Sequence, residues 1–331
     1  GNAMRRPFIV AITLAALGVA GCASLQEPQY PTQPVKLIVP YPPGNVADNF
    51  GRIMAEKLAQ MWGQPVTVEN QPGISGVVAA ARAKADGYTL LGHSISYAVD
   101  AGLYTNLPYD PDRDLQAIAP YARQPFALVA APALGVKTVA DLVALAKSKP
   151  GQLKFGSLGT RTQIYFVAEQ FKKKAGIDAV NVSFKSLPEA NAAVAKGEIA
   201  FWFPPVAGAM AGVKEGKLIA LAVTSGKRAE MLPQVPTMAE AGIANMDNAA
   251  WFGFWAPAGV PPAIAKRIAG DIARATEAPE VREKFAKAGA QIMRMSPEEF
   301  AAFVRDETAA SKRQVKELGI QPQPYAPPAK P

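Results

Sequence analysis

Cysteine and histidine are almost missing from this chain: Cys22 and His93 are the single examples in 331 residues. One cysteine forbids an intramolecular disulfide, and a catalytic thiol is excluded if Cys22 is acylated. One histidine nearly removes histidine-based zinc sites and would leave a Ser-His-Asp triad resting on a single residue. No close pair of carboxylates suggests acid–base chemistry. No Gly-Lys-Ser/Thr follows a glycine loop, as a phosphate-binding P-loop requires, and Gly156-x-x-Gly159 lacks the third glycine and later acid of a dinucleotide site. After the N-terminal signal nothing approaches the roughly 20 apolar residues of a membrane span. Aromatics make up 8% of the chain, with no aromatic–basic stripe of the kind that binds nucleic acid. No metal, cofactor, nucleic-acid partner or catalysis is called for.

What is present begins with an export signal. Arg5 and Arg6 form a short basic region, and Phe8 to Ala20 is an unbroken apolar and small run. Val19-Ala-Gly-Cys22 matches the pattern after which a bacterial lipoprotein is cleaved, so that Cys22 receives lipid and the mature protein works outside the cytoplasm. The alternative is an ordinary secretory signal cut near Ala23. Gly1-Asn-Ala3, ahead of Met4, are read as a cloning remnant. The net charge of +8 is scattered, with Lys172-Lys-Lys174 its longest run, a solvated helix face. A mild positive surplus still helps to gather anionic small molecules.

Beyond the signal the pattern is strand then helix, repeated. Val35–Val39, Val66–Glu69 and Tyr88–Leu91 read as strands, and helical spacing recurs through Val46, Phe50, Ile53, Met54 and Leu58 and again over Val77–Lys84. A second series starts near Phe126, with strands at Ala127–Ala130, Leu153–Phe155, Ala179–Phe184, Ile199–Phe203 and Leu218–Val223. Its helices are Val139–Ser148, Gln163–Ala175 and Glu189–Lys196. Past Trp251 long helices are expected over Ala263–Ala275, Pro279–Ala288 and Pro297–Leu318. Three strand-to-helix loops stand out: Pro42–Asp48, Asn70–Gly76 and Gly156–Thr162. In open α/β sheets ligands sit at the carboxyl ends of strands, and a helix N-terminus offers N–H groups to an anion. Such loops are also ordinary punctuation.

The ordered motifs resemble the tripartite tricarboxylate transporter solute-binding proteins, the Bordetella uptake gene family. They are Tyr30-Pro-x-x-Pro-Val-Lys-Leu-Ile-Val-Pro-Tyr-Pro-Pro-Gly44, Val68-Glu-Asn-x-Pro-Gly73, Asp86-Gly-Tyr-Thr-Leu-Leu91 and Leu107-Pro-Tyr-Asp-Pro111. Leu221-Ala-Val-Thr-Ser225, Leu232-Pro-x-Val-Pro-Thr237, Glu240-Ala-Gly242 and Trp251-Phe-Gly253 complete the series. The resemblance implies an α/β, type II-like periplasmic-binding-protein fold, with two α/β domains and a ligand cleft between them. Residues 34–121 and 251–320 would form one domain and 122–250 the other, with 22–33 a lipid-anchor linker and 321–331 a disordered proline-rich tail. The ligand would be a small organic carboxylate: a dicarboxylate, an amino acid or an aromatic acid. The implied site residues are Pro43, Gly44, Asn45, Val46, Ala47 and Asp48, then Ser157, Gly159, Thr160, Arg161 and Thr162. His93, Ser94 and Phe203 would line the same cleft.

Departures from the family pattern bear on the ligand. Asn45 stands where a second glycine is usual, and either donates to the ligand or caps its helix. Arg161 replaces another glycine and either grips a carboxylate bidentately or points to solvent. His93 is either a ligand donor or a cleft-wall residue packed on Tyr97. Phe201-Trp-Phe-Pro-Pro205 lacks the usual acid, which argues against an ammonium at that point; its aromatics suit a ring or acyl chain, or else pack a strand. Asp48 reads better as a stabiliser of its helix N-terminus than as a base. The expected protein is a non-enzymatic, monomeric binding protein in the periplasm, anchored through Cys22, that closes on its ligand and delivers it to the membrane components of a transporter. The competing readings are a ligand sensor for a membrane kinase, a periplasmic enzyme and an interaction module with a vestigial cleft.

Overall fold

The structure, a computed structural model, describes residues 26–327 and 329. Cys22 and the expected export signal lie outside them. β1 (Val35–Val39) is a β-branched run buried except at Lys36. It pairs in parallel with β2 (Val66–Asn70) and β3 (Thr89–Ser94). Between them α1 (Val46–Trp62) and α2 (Ile74–Arg82) cover the sheet. α1 buries Phe50, Met54 and Leu58, a stripe at helical spacing, and stops at Gly63 in the left-handed region. After α3 (Ser96–Leu103) the chain enters β4 (Leu115–Pro125) and passes almost directly into β5 (Ala127–Ala130), the first strand of a second sheet.

That sheet is built from β5, α4 (Val139–Ser148), β6 (Lys154–Ser157), α5 (Gln163–Ala175), β7 (Val180–Ser183), α6 (Leu187–Ala195), β8 (Phe201–Trp202), α7 (Val206–Lys214) and β9 (Ile219–Val223). Its strand order is β7-β6-β8-β5-β9. β10 (Ala249–Pro257) then returns to the first sheet, followed by α8 (Pro262–Ala275), α9 (Pro279–Lys287), β11 (Gln291–Ile292) and α10 (Pro297–Glu317). The first sheet runs β11-β4-β10-β3-β1-β2. α10 starts on a capping box, Ser296 with Glu299, and Pro297 occupies its first turn.

β4 and β10 pair antiparallel from Ala249 opposite Pro125 to Pro257 opposite Leu115, so the two passages between the sheets lie side by side. Neither strand is visible in the hydropathy pattern. β4 carries Pro120, which has no N–H for a ladder; the register slips beside its partner Gly253, and a bulge is where a sheet tolerates proline. The first sheet therefore extends through Ala122–Pro125 and begins again at Ala249, past the boundaries expected from the resemblance.

Part of the segment expected to be a disordered tail, residues 321–325, pairs with the body of the protein. Gln323 N donates to Leu103 O at 2.9 Å, and Thr105 N donates to Gln323 O at 3.0 Å. Tyr325 N donates to Asn106 Oδ1 at 2.7 Å, and its ring meets Tyr104 edge-on at 6.0 Å. The physical reason is alternation. Pro322 and Pro324 take the positions whose N–H groups would face away, and Gln323 and Tyr325 keep theirs for pairing.

Candidate functional site

The carboxyl ends of β1, β2 and β3 finish side by side, and a cavity of 370 Å³ lies there. Its size falls within the range of small-molecule sites. Pro40 and Tyr41 line it from the end of β1, and Gly73, Ile74 and Ser75 from the start of α2. Ser96 and Asp100 line it from α3, one turn apart, and Tyr104 lines it from just past that helix's end. His93 and Tyr325 also line it.

His93 is buried, with Nδ1 3.2 Å from the Tyr41 hydroxyl and its ring edge-on to Tyr97 and Trp255 at 6.0 and 6.1 Å. Burial alone pushes its pKa down to about 3, so the ring is neutral at physiological pH. The packing on Tyr97 is present, and the same ring borders the cavity. Ser94 Oγ bonds the Tyr41 hydroxyl at 2.6 Å and accepts from Ser96 N at 3.2 Å, tying the end of β3 to that of β1. Burial pushes the Tyr41 phenol up to about 12. Asp100 is different: burial raises its carboxyl to about 7, opposed only by the charge of Arg161.

The loop Pro42–Asp48 turns at Gly44, whose φ of +91° favours glycine. Asp48 is 1% exposed and accepts from Gly44 N at 2.9 Å, from Arg52 Nε at 3.1 Å and from Asn70 Nδ2 at 2.8 Å. Burial would raise its pKa, but the bonds from Asn70, Gly44 and Arg52 outweigh that and hold it low. Asn70 also donates to Tyr41 O at 2.9 Å. Asn45 caps α1, its Oδ1 accepting from Ala47 N at 2.8 Å. Ala47 is buried, whereas Pro43, Gly44, Asn45 and Val46 are exposed and not on the cavity wall.

The loop Gly156–Thr162 is folded by hydroxyls. Ser157 is fully buried and its Oγ accepts from Gly159 N at 3.1 Å, where φ is +115°. Thr162 Oγ1 donates to Gly159 O at 2.7 Å and caps α5 by accepting from Tyr165 N. Thr160 is exposed. Arg161 leaves its own loop. It crosses to the first sheet's side, donating to Leu103 O at 2.7 Å and Gln321 O at 3.4 Å, with its guanidinium 5.4 Å from the Tyr104 ring centre.

Phe203 is fully buried with Phe201 and Trp202, and its ring meets Phe171 edge-on at 5.6 Å. The heavy aromatic segment packs the second sheet's core. A separate cavity of 290 Å³ between α3, α5 and α10 is bordered by Lys173 and Glu317, which pair with each other at 3.3 Å. Sequence reasoning missed Tyr41, Asn70, Asp100, Tyr104 and Tyr325. The Ser96, Asp100, Tyr104 spacing was the signal that could have found three residues of the wall.

Known proteins share this fold. The family described as the tripartite tricarboxylate transporter family receptor matches residues 50–320. Protein BugT of Bordetella pertussis is 32% identical over 325 residues, covering 97% of this chain and 99% of that protein. An R. palustris protein solved with adipate superposes with a TM-score of 0.73 at 28% identity, over 88% of this chain and 98% of that one. MatC from Rhodopseudomonas palustris, solved with bound malate, gives 0.69 at 26% identity, over 86% and 100%. The family is one of substrate-binding receptors, not of enzymes. With most of its length matched, the chain belongs to the tripartite tricarboxylate transporter receptor family.

Proposed function

We propose that this receptor captures a small organic carboxylate outside the cytoplasm, in the cavity at the ends of β1–β3, and hands it to the membrane components of a tripartite tricarboxylate-type transporter. The observation that carries this reading is the cavity itself, sited at strand ends and approached by Arg161 from the opposite sheet. Adipate and malate in similar proteins support the ligand class, and a similar protein described as a periplasmic transporter supports the compartment. Anchoring through a lipid on Cys22 and a monomeric state belong to the same proposal.

Closure follows from differential affinity. A ligand shifts two arrangements of the sheets only as far as it binds one better than the other. First-turn N–H groups of α2 can take a carboxylate, while the loop Gly156–Thr162 brings Arg161 against α3. A thermal-shift screen against dicarboxylates, amino acids and aromatic acids tests the reading. Binding raises stability by about 2.7 kcal/mol at a hundredfold excess over Kd. A shift confined to carboxylates is expected; no shift with any of them sinks the proposal.

A further inference from the structure

The cavity contains an acid that the fold leaves unpaired. Asp100 stands between Ser96 and Tyr104 on the cavity-facing side of α3. Asp100 is half-buried on the cavity wall, and a carboxylate so placed keeps only part of its hydration until a partner reaches it. Its surroundings supply no such partner. Tyr41 and Tyr109 feel its charge but carry only neutral hydroxyls, His93 is a neutral ring, and Tyr104 and Tyr325 border the same space. Arg161 is the cation whose field reaches it. That guanidinium is committed to Leu103 O, Gln321 O and the Tyr104 face. Among the described residues no ion pair joins the two.

The same cavity offers the opposite polarity at α2. This helix begins at Gly73 with no side-chain cap, so its first N–H groups and partial positive charge are available to an anion. The cavity thus has an end suited to a carboxylate and an acid suited to a donor. A dicarboxylate would place its second charge near Asp100 with no uncommitted cation to offset the repulsion. An ammonium would complete the missing pair with charge-assisted hydrogen bonds.

We propose that Asp100 is the selectivity residue of this cavity and reads an ammonium group, so that the preferred solute is an amino-carboxylate rather than a dicarboxylate. The proposal rests on the capture of a carboxylate in this cavity. It adds which carboxylates are chosen and by which side chain.

Calorimetric titration with probes matched in length tests it: β-alanine against succinate, γ-aminobutyrate against glutarate, ε-aminocaproate against adipate. Above the pH at which Asp100 ionises, at least one amino acid should bind about tenfold or more tightly than its diacid, which is about 1.4 kcal/mol. Asp100→Asn keeps the shape and removes the charge. It should erase that preference without weakening the diacid, and should raise the melting temperature of the ligand-free protein by removing a half-buried unpaired charge. Diacids preferred by the native protein, or an amino-acid preference that survives D100N, would overturn the proposal and leave carboxylate capture standing. A fall in ligand-free stability would show that the carboxylate already has a partner, and would overturn it too. Failure of every probe to bind would remove the capture reading and this inference together.

Discussion

Two loops of one design, strand to glycine to helix, are held in opposite ways. Pro42–Asp48 is braced by charge within its own sheet: Asp48 collects Gly44, Arg52 and Asn70, and Asn70 reaches back to Tyr41. Gly156–Thr162 is braced by neutral hydroxyls, and its charged side chain leaves the loop to bond the far side. The first loop keeps its shape wherever the second sheet lies. The second makes contacts that exist only while the sheets are in this arrangement. A binding protein that closes needs one partner of each kind: a fixed platform, and an element whose bonds reward approach.

Breaking the platform should have the largest effect. Asp48→Ala leaves the Gly44 N–H and the Asn70 amide without their acceptor and Arg52 without its anion. Arg52 is half exposed and recovers water, so the cost should be about 2–3 kcal/mol, read as a lower urea midpoint. The sign of its pH dependence follows from the lowered pKa of Asp48. The stabilisation is present above the ordinary carboxylate range and is lost as pH falls through the folded value, so variant and native protein should converge in acid. An unchanged midpoint at neutral pH would mean that the loop is held by something else. Arg161→Ala comes next. It deletes two bonds across the gap and the Tyr104 contact, and should weaken ligand binding at least tenfold, about 1.4 kcal/mol. The comparison is sharpened by ligand choice. A closure contact weakens every ligand alike, whereas a carboxylate clamp weakens only those whose carboxylate it grips. Unchanged affinity for all would remove Arg161 from both roles.

The two loops also divide what could be read in advance. β5, α4 and α5 were legible to the residue, because a short buried strand and two capped amphipathic helices carry their own signals. β4 and β10 were not: both lie in the interior of the sheet, and their bulges and prolines erase the alternation that marks a strand. α3 was missed because it is eight residues long, lacks a side-chain cap and contains Gly102. With α3 went Asp100, an acid in a segment whose neighbours are mostly apolar. The glycine loops could be located from sequence, but whether their polar side chains bind or merely fold the loop could not. Asn45, Ser157 and Thr162 all turn out to bond their own backbone, as residues of these types do in tight turns. Phe203 shows the same ambiguity in an apolar residue, since core and pocket draw on the same side chains.

The smallest expected effect separates folding from binding at the platform itself. Asn45 sits at φ −62° and ψ 153° and caps α1 through its side chain, in the position where the family pattern has glycine. If capping is its whole contribution, Asn45→Gly should cost only a few tenths of a kcal/mol and Asn45→Ala about 1 kcal/mol, because glycine tolerates the cap position better than alanine. Ligand affinity should then be unchanged in both. The order of the two variants carries the argument. A loss of affinity shared by Gly and Ala, with little difference in stability, would show that the Asn45 amide donates to the solute. The first loop would then be no longer a passive platform but a second gripping surface, and the contrast with Gly156–Thr162 would shrink to Arg161 alone.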